Sequence, residues 1–170
     1  MGILAGWQFC PRCGATLHAV EGHLECGACG GEYWGNSLPG VQGVLERDGR
    51  VLLARRAREP RRGHWDLPGG FLDEGEAPVD GLRREFREET GLEIEPVGLL
   101  RIDIEPYGPE RSVFSVSYLV TAAGEPVAAD DVSELRWFSP DELPIELAFP
   151  GQELVLREWA ERRRRTDPAR

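Results

Sequence analysis

Several short segments of the chain have apolar residues that alternate with polar ones or run together over the length of a strand, which predicts β-strands. The first two, residues 41–47 and 50–55, flank the pair Asp48-Gly49, which is typical of the two-residue turn of a β-hairpin. Further strands are predicted, in chain order, at residues 64–67, 94–104, 112–120 and 135–138. Most of the core is therefore expected to lie against a sheet.

One segment between these strands has helical spacing instead. Val79, Leu82 and Phe86 fall within a narrow arc at about 100° per residue and should face the core. Pro78 suits the first turn of this helix, and Gly91 suits the position just past its end.

A second helix is predicted at about residues 152–164, after a helical turn that begins at Ser139. The residues expected on or near its buried side are Leu154, Val155, Leu156 and Trp159. Mixed strands with one helix on each face suit the α/β class, with an α/β/α sandwich as the architecture.

The first helix carries its charges on separate faces. Glu85, Glu88 and Glu89 occupy the arc next to the apolar stripe, where side chains three and four residues apart are neighbours, whereas the arginines of this helix are expected on other sides. One interpretation is a solvated helix with Arg–Glu pairs. The alternative is that carboxylates at the edge of a cleft hold Mg²⁺ or Mn²⁺, which prefer oxygen ligands.

This part of the chain resembles the signature of the Nudix hydrolases. The matching positions are Gly70, Glu76, Arg84, Glu85, Phe86, Glu88, Glu89, Gly91 and Leu92. Residues 65–70, which read WDLPGG, resemble the strand and loop that lead into the signature, and family-like sequence extends from about residue 41 to residue 159. The resemblance implies a Nudix-type α/β/α sandwich with a mixed sheet.

The resemblance also implies a reaction, the hydrolysis of the pyrophosphate bond in a nucleoside diphosphate that is joined to another group. It implies that Glu85, Glu88 and Glu89 hold the catalytic Mg²⁺ or Mn²⁺, which neutralises the pyrophosphate and lowers the pKa of a bound water. The backbone carbonyl of Gly69 would assist, and the absent side chains of Gly69 and Gly70 would allow that close approach.

Arg84 and Glu76 are expected to orient the metal ligands rather than to bind metal themselves. The family often uses a further acidic residue from a later loop as general base or extra ligand. The candidates are Asp130, Asp131 and Glu134. Glu134, three residues before Trp137, is the one that we predict.

All the cysteines of the chain lie in two CxxC motifs near the N-terminus. They are Cys10, Cys13, Cys26 and Cys29. Their spacing predicts a zinc ribbon in residues 1–36 with a structural Zn²⁺, followed by the Nudix domain in residues 37–170. Two disulfides would need an oxidising compartment, and residues 1–7 lack the basic start and apolar run of a secretion signal. A thioredoxin-like motif would need one CxxC beside a βαβ unit, and His18 and His23 are expected at the surface.

Composition narrows the class of protein and its partners. With 170 residues and 41% apolar content, the chain can bury one core and a small metal-stapled module. A formal charge of −10 argues against a general nucleic-acid binder, and no apolar run approaches the length of a membrane span. The expected setting is the cytoplasm, with a nucleotide-derived small molecule as the partner.

The sequence says less about the substrate. Five arginines precede the Gly-Gly loop, and they are either solvated or placed to contact substrate phosphates: Arg55, Arg56, Arg58, Arg61 and Arg62. Arg55 and Arg56 are the favoured candidates for such a contact. Tyr107 is a candidate for an aromatic contact in a loop, whereas Trp65 is expected in the core. A zinc ribbon before a Nudix domain resembles the arrangement of NADH pyrophosphatases, and related proteins are linked to ADP-ribose or FAD, so a dinucleotide-like or ADP-sugar substrate is predicted. The alternatives are a nucleoside triphosphate pyrophosphohydrolase and a non-catalytic nucleotide sensor. Three roles stay open for the ribbon, whichever function applies: a partner-binding module, a lid or a contact in a homodimer.

Overall fold

The computed structural model describes residues 2–166, so residues 1 and 167–170, at the outer ends of the two predicted domains, lie outside the described part. The strands are β1 (Leu17–Val20), β2 (His23–Cys26), β3 (Glu32–Trp34), β4 (Leu38–Arg47), β5 (Arg50–Arg56), β6 (Trp65–Asp66), β7 (Gly69–Phe71), β8 (Ile94–Tyr107), β9 (Arg111–Ala122) and β10 (Val132–Phe138). The helices are α1 (Pro78–Thr90) and α2 (Pro150–Thr166).

The strands form two sheets. β1, β2 and β3 make a small antiparallel sheet. The other strands make a seven-stranded sheet in the order β10-β5-β4-β9-β8, with β6 paired to β5 and β7 paired to β4. β4 and β9 run parallel, and the remaining pairs of this sheet are antiparallel. The predicted mixed sheet is confirmed.

One helix covers each face of the larger sheet, because successive strand residues face opposite sides. On β4, Val41 and Leu45 pack with Leu82 and Phe86 of α1, whereas Val44 packs on the other face with residues of α2. Phe86 is fully buried, and its truncation to alanine would cost about 3–5 kcal/mol. The predicted α/β/α sandwich is confirmed.

The first helix begins and ends where the sequence predicts. Pro78 occupies its first turn, and Gly91 follows its end with φ of 68° and donates its N–H to the Arg87 carbonyl at 3.1 Å. Glycine adopts this left-handed conformation without the strain that a Cβ would bring. The apolar stripe and the two ends therefore place α1 in one register on the sheet.

The second helix is longer than predicted and covers residues 150–166. The turn predicted at Ser139 forms, closed by the Glu142 N–H on the Ser139 carbonyl at 3.0 Å, but the chain continues from it as turns and irregular structure rather than as helix. Trp65 is buried with its ring edge-on to Phe138, centroids 4.9 Å apart, so its predicted place in the core is confirmed.

Several strands extend beyond their predicted ends. The hairpin at Asp48-Gly49 is confirmed, since it joins β4 to β5. β8 continues to Tyr107, which pairs with Arg111 of β9. Tyr107 therefore lies at a strand end and not in the loop that the sequence indicated, because the long antiparallel pairing with β9 continues past the predicted end of β8.

The cysteine-containing segment has a small core of its own. Leu4, Leu17 and Leu24 pack there with Cys10 and Cys26. A core of this size stabilises few residues by burial alone, so small modules of this kind need a staple. The predicted domain boundary after residue 36 falls in the connection between β3 and β4, and the division into two domains stays a prediction.

Candidate active site and metal clusters

A cavity of about 440 Å³ opens at one end of the larger sheet, where β4 and β9 begin and β8 ends. Its acidic side chains include Asp66, Glu85, Glu89, Glu105, Asp130 and Asp131, and its arginines are Arg56, Arg58 and Arg84. The volume suits a small-molecule ligand. The excess of negative charge favours a ligand that arrives with cations.

α1 brings two of the predicted metal ligands to this cavity. Glu85 is half-buried and Glu89 is only 7% exposed, and both line the cavity wall. Burial raises the pKa of Glu89 well above its usual range, although its Oε2 accepts the Gly69 N–H at 2.9 Å. Burial also raises the pKa of Glu85. Buried carboxylates need a proton or a cation, and hard divalent cations prefer such oxygens, so this donor set fits Mg²⁺ or Mn²⁺.

The third predicted ligand lies apart from these two. Glu88 is exposed, and its Oε2 accepts a hydrogen bond from Arg84 Nη1 at 3.2 Å. Among residues 2–166, the groups whose ligand atoms all lie within 4.8 Å of one another are the four cysteines and the trio His23, Glu25 and Glu32. The structure thus brings Glu85 and Glu89 to the cavity and turns Glu88 toward Arg84.

Arg84 holds this part of the helix together. Its Nε and Nη2 donate to the two oxygens of Glu76, each at 2.9 Å. Its Nη1 donates to Glu85 Oε1 at 2.7 Å, and its Nη2 also donates to the Phe71 carbonyl at 3.0 Å. The hydrogen bonds from Arg84 lower the pKa of Glu76 to about 2. The expectation that the arginines lie away from the carboxylates is therefore wrong for Arg84, because its long side chain turns back across the helix face.

The two glycines before the helix make room for protein groups. Gly69 has φ of 150°, and a Cβ on it would collide with the backbone of Val41 and, at 2.6 Å, of Gln42. A Cβ on Gly70 would lie 2.5 Å from the carboxylate carbon of Glu85. The close approach predicted here is thus to β4 and to Glu85, and metal binding by the Gly69 carbonyl stays a prediction.

The later acidic residue that faces the cavity is not the predicted one. Asp130 and Asp131 line the cavity, and the charge of Asp131 raises the pKa of Glu89. Glu134 instead pairs with Arg55 at 3.4 Å and with Arg136 at 2.5 Å on the outer strand. The geometry favours Asp130 and Asp131 over Glu134, and the identity of the general base stays a prediction.

The two arginines predicted to contact phosphate also separate. Arg56 lines the cavity, and its Nη1 donates to Asp66 Oδ2 at 2.8 Å. Arg55 is exposed and donates from Nε to the Gly63 carbonyl at 2.9 Å. Arg58, the next candidate along the chain and a less favoured one, lines the cavity and pairs with Asp130 at 3.3 Å. Arg56 and Arg58, and not Arg55, are therefore placed to meet a ligand.

Aromatic rings form another part of the cavity wall. Tyr107 lies edge-on to Phe71, with ring centroids 5.3 Å apart, and 5.6 Å from the ring of Phe149. The guanidinium of Arg56 lies 5.5 Å from the centroid of Phe149. All these side chains line the cavity. The predicted position of Tyr107 at the site agrees with this geometry, whereas Phe149 precedes α2 and carries no local signal of function.

A chain of hydrogen-bonded polar side chains forms the wall beside α2. Gln42 donates from Nε2 to Ser115 Oγ at 3.2 Å and to Ser117 Oγ at 2.9 Å. Gln152 Nε2 donates to Gln42 Oε1 at 3.4 Å and also contacts Asp66. None of these side chains was predicted to lie at the site. The signal that could have indicated them is the pair Ser115 and Ser117 on one face of β9, between apolar residues.

The cysteines form a second cluster, apart from the cavity. Cys10 Sγ lies 3.6 Å from Cys29 Sγ, and Cys13 Sγ lies 3.5 Å from Cys26 Sγ. All are free thiols, too far apart for the disulfides that were considered. Tetrahedral Zn²⁺ with bonds of about 2.3 Å separates its sulfur ligands by about 3.8 Å, so the cluster fits such an ion.

Two equivalent turns present these thiols. The Gly14 N–H donates to the Cys10 carbonyl and the Gly30 N–H to the Cys26 carbonyl, each at 2.8 Å. The Tyr33 hydroxyl lies 3.0 Å from Cys10 Sγ, and this hydrogen bond lowers the pKa of Cys10 to about 6. A lowered pKa favours the thiolate, which is the form that binds metal.

The two histidines between the CxxC motifs differ. His18 is exposed, as predicted. His23 is buried, with its ring stacked on Trp34 at 4.2 Å and its Nδ1 3.2 Å from the Glu21 carbonyl. The expectation of a surface position for His23 is wrong, because the aromatic ring across the strand pair covers it.

Within the described part of the chain, neither helix has the length and apolar character needed to cross a membrane.

Comparison with known proteins shows that most of the chain matches one protein family. The sequence model of the family described as NUDIX domain matches residues 38–159. An ADP-ribose pyrophosphatase of Methanocaldococcus jannaschii is 35% identical over 117 residues, which cover 68% of this chain and 69% of that protein.

Two further similarities include the cysteine-containing segment. An NAD-capped RNA hydrolase NudC of Stutzerimonas stutzeri is 29% identical over 153 residues, 88% of this chain, and the chain spans about half (53%) of that relative. The crystal structure of a NUDIX hydrolase from Nitrosomonas europaea superposes with a TM-score of 0.74 at 26% identity, and covers 95% of this chain and 92% of that chain.

Proposed function

The chain belongs to the Nudix family of hydrolases, and on that basis we propose that it cleaves the pyrophosphate bond of a nucleoside-diphosphate-linked substrate. The products are a nucleoside monophosphate and a second phosphorylated compound. The observation that carries the proposal is the wall formed by Glu85 and Glu89, two carboxylates that burial makes costly to ionise, at the edge of a ligand-sized cavity.

Glu85 and Glu89 are the proposed ligands of Mg²⁺ or Mn²⁺, with Glu88 and the Gly69 carbonyl as further donors. A divalent cation held there supplies positive charge against the pyrophosphate and activates water for attack. Arg84 keeps Glu85 in place and links it to Glu76, so both act as positioning residues. Asp131, which lines the same cavity and whose charge acts on Glu85 and Glu89, is the proposed acceptor of the proton from the attacking water.

Other residues of the cavity match the remaining parts of such a substrate. Arg56 and Arg58 provide positive charge that the carboxylate wall lacks, and arginine suits phosphate oxygens. The rings of Phe71, Tyr107 and Phe149 provide a surface on which a planar base or the edge of a sugar can pack. ADP-ribose, on which the Methanocaldococcus relative acts by name, has all these parts and is the first candidate.

An NAD-capped RNA is the second candidate. The relative with that name matches 88% of this chain, a larger share than the 68% matched by the ADP-ribose pyrophosphatase. A match of that share extends beyond residues 38–159 and includes at least part of the cysteine-containing segment. A capped RNA carries the same pyrophosphate between two nucleosides, so the same cavity chemistry applies. This candidate brings back a nucleic-acid-linked substrate, which the net charge of the chain argued against.

The proposal assigns the cysteine cluster a structural Zn²⁺. Four thiols within 4.8 Å of one another satisfy a tetrahedral ion and leave no position open for substrate. Free thiols in this arrangement suit a reducing compartment, so we place the protein in the cytoplasm. The homodimer stays a prediction.

The experiment is a hydrolysis assay with Mg²⁺ or Mn²⁺ on ADP-ribose, NADH, FAD, an NAD-capped RNA and nucleoside triphosphates. We expect turnover of a substrate with two nucleoside or sugar groups across the pyrophosphate. Glu89→Gln removes one charge from the carboxylate wall, and its kcat should fall by at least about 100-fold, since the metal contributes several kcal/mol to the transition state. Circular dichroism should show the same fold.

Glu93→Gln is the matched control. Glu93 is exposed just past α1 and pairs with Arg87 at 2.6 Å, so this variant loses a carboxylate without touching the cavity. Turnover that is unchanged in Glu89→Gln would contradict the metal assignment. Preference for nucleoside triphosphates would contradict the substrate class, and tight nucleotide binding without turnover would favour the sensor alternative.

A further inference from the structure

Glu105 is a buried carboxylate in the cavity that the proposed hydrolysis does not use. It is 7% exposed, lies near the end of β8 and lines the cavity next to Tyr107. Burial raises its pKa, and the charges that act on it most strongly, Asp103 and Asp66, are negative and act in the same direction. Burying a carboxylate among other negative charges destabilises its ionised form, so the position calls for an explanation in terms of what it binds.

Hydrogen-bond donors lie next to this carboxylate. Hydrogen bonding from the Ser115 hydroxyl and from the Gly151 N–H, at the start of α2, partly offsets the rise in the pKa of Glu105 that burial causes. Ser115 Oγ itself accepts from Gln42 Nε2 at 3.2 Å, which leaves the hydroxyl proton for Glu105. A Cβ on Gly151 would lie 2.7 Å from Cγ of Glu105 and closer still to its carboxylate, so glycine is needed for this approach. The side chain is thus fixed in one orientation.

These contacts leave part of the carboxylate available to a ligand. A carboxylate has about four lone-pair sites, and the two protein donors occupy only some of them. A phosphate group would be repelled from Glu105, whereas a hydroxyl donor would be attracted. Two hydroxyls on adjacent carbons match the spacing of two carboxylate oxygens, and an acidic residue in this role is how dinucleotide-binding folds recognise a ribose.

We propose that Glu105 binds the vicinal hydroxyls of a ribose in the substrate and is a specificity-determining residue that excludes sugars whose 2-hydroxyl is missing or phosphorylated. This inference rests on the proposed function, because it assigns the sugar end of the same cavity. The carboxylates of α1 then face the pyrophosphate, and Glu105 on β8 faces the ribose.

The test compares ADP-ribose with three analogues in the full-length protein. They are 2′-deoxy-ADP-ribose, 2″-deoxy-ADP-ribose, which lacks the hydroxyl on the terminal ribose, and ADP-ribose 2′-phosphate. Dissociation constants are measured by calorimetry with Ca²⁺, and kcat/KM is measured with Mg²⁺. Wild-type protein should prefer ADP-ribose over one of the deoxy analogues by about 10- to 100-fold, the range expected for hydrogen bonds to a charged group.

Glu105→Gln keeps the size and one acceptor of the side chain. We expect the preference for ADP-ribose to fall to a few-fold in this variant, and any discrimination against the 2′-phosphate to weaken. Glu95→Gln is the matched control, because Glu95 lies on the same strand, is exposed and pairs with Arg83 at 2.8 Å away from the cavity. Its preference should equal that of the wild type.

The ratio between substrates separates recognition from a structural role. If Glu105 only supported the start of α2, Glu105→Gln would lower the affinity for all four compounds equally and leave the ratio unchanged, which would overturn the inference. Wild-type affinities that are equal for ADP-ribose and both deoxy analogues would also overturn it. Binding with the expected ratio but without turnover would support Glu105 and contradict the proposed hydrolysis.

Discussion

Two groups of side chains that suit metal ions, the four cysteines and the carboxylates of α1, are built in opposite ways. The thiols of Cys10, Cys13, Cys26 and Cys29 all lie within 4.8 Å of one another, at turns fixed by backbone hydrogen bonds. The carboxylates of α1 are spread along a helix, where Arg84 holds Glu85 and Glu88 while Glu85 and Glu89 face the cavity. We call the cysteines the closed cluster, because their four ligand atoms surround one position, and the carboxylates of α1 the open cluster, because one side of it faces the cavity.

The difference teaches what each cluster can do. A site closed by four thiols has no position for substrate and contributes to folding, whereas a site with open positions can act on a ligand. The closed cluster also lies in a segment with a small core, where burial alone stabilises few residues and a bound metal ion would add to the stability of the fold. The open cluster lies on a helix whose core residues are fully buried, so its ligands are held by the fold without the ion.

The largest expected effect comes from breaking the closed cluster. Cys26→Ser removes one of the buried ligands, and we expect the protein to lose about one equivalent of zinc and residues 9–34 to unfold, because a structural zinc contributes about 10–16 kcal/mol of apparent binding free energy. Zinc content and amide hydrogen exchange of this segment are the measurements. The signals of α1 should keep their protection.

His18→Gln is the control for that variant, since His18 is exposed between the two motifs and is not a ligand in the proposal. Zinc content and exchange should match those of the wild type. If residues 9–34 stayed folded in zinc-free Cys26→Ser, the proposal that this segment needs zinc to fold would be contradicted. Loss of protection in α1 to the same extent would contradict the separation of the two clusters.

A smaller effect is expected when the support of the open cluster is weakened. Arg84→Lys keeps the charge but loses the planar fork that donates to Glu76, Glu85 and Glu88. Loss of such supporting contacts lowers metal affinity by about 10- to 100-fold. We therefore expect the Mg²⁺ concentration for half-maximal activity to rise by that factor, while activity at saturating Mg²⁺ falls less.

Arg87→Lys provides the comparison for this variant, because Arg87 also lies on α1 but pairs with the exposed Glu93. Its metal dependence should remain that of the wild type. If Arg84→Lys lowered thermal stability and left the metal dependence unchanged, Arg84 would be a structural residue only.

The features predicted best from the sequence are those that depend on residues close to one another along the chain. The spacing of Leu82 and Phe86 and the position of Gly91 determined α1 and its register, since these positions lie within a few turns of one helix. Val79, the third residue of the predicted stripe, is only half-buried. The two CxxC motifs likewise predicted their own cluster. The direction of Arg84 was missed because a flexible side chain can reach several faces of a helix.

Contacts between distant segments could not be predicted in the same way. β10 pairs with β5 with a shift of register between Val132 and Glu134. This irregularity places Glu134 opposite Arg55, where the two form an ion pair on the outer strand. A bulge of this kind reverses which residues face a site. Phe149 and Gln152 reach the cavity only because α2 packs on the sheet. No pattern in the sequence near these two residues predicts that position.

The smallest expected effect concerns the acid response of the open cluster. The hydrogen bonds from Arg84 lower the pKa of Glu76 to about 2 in the folded protein, from an ordinary value of 4.5. A carboxylate with a lowered pKa in the folded state stabilises the fold above its unfolded pKa, and this contribution is lost as the pH falls through the folded pKa. The relevant window is therefore from about pH 4.5 down to about pH 2.

Glu76→Gln removes the titrating group and tests whether the acid response of the open cluster depends on the charge of Glu76. We expect the melting temperature of the variant to be lower than that of the wild type at pH 7, and the difference to shrink as the pH falls from 5 to 3, because the protonated wild-type carboxyl loses its charge-assisted bonds to Arg84. The cysteine cluster is common to both proteins, so its own acid response cancels in the difference. Thermal melts followed by circular dichroism at several pH values provide the measurement, with Glu74→Gln as the matched control, since Glu74 is an exposed neighbour. A difference in melting temperature that stays constant between pH 7 and pH 3 would mean that Glu76 supports α1 by packing and not through its charge.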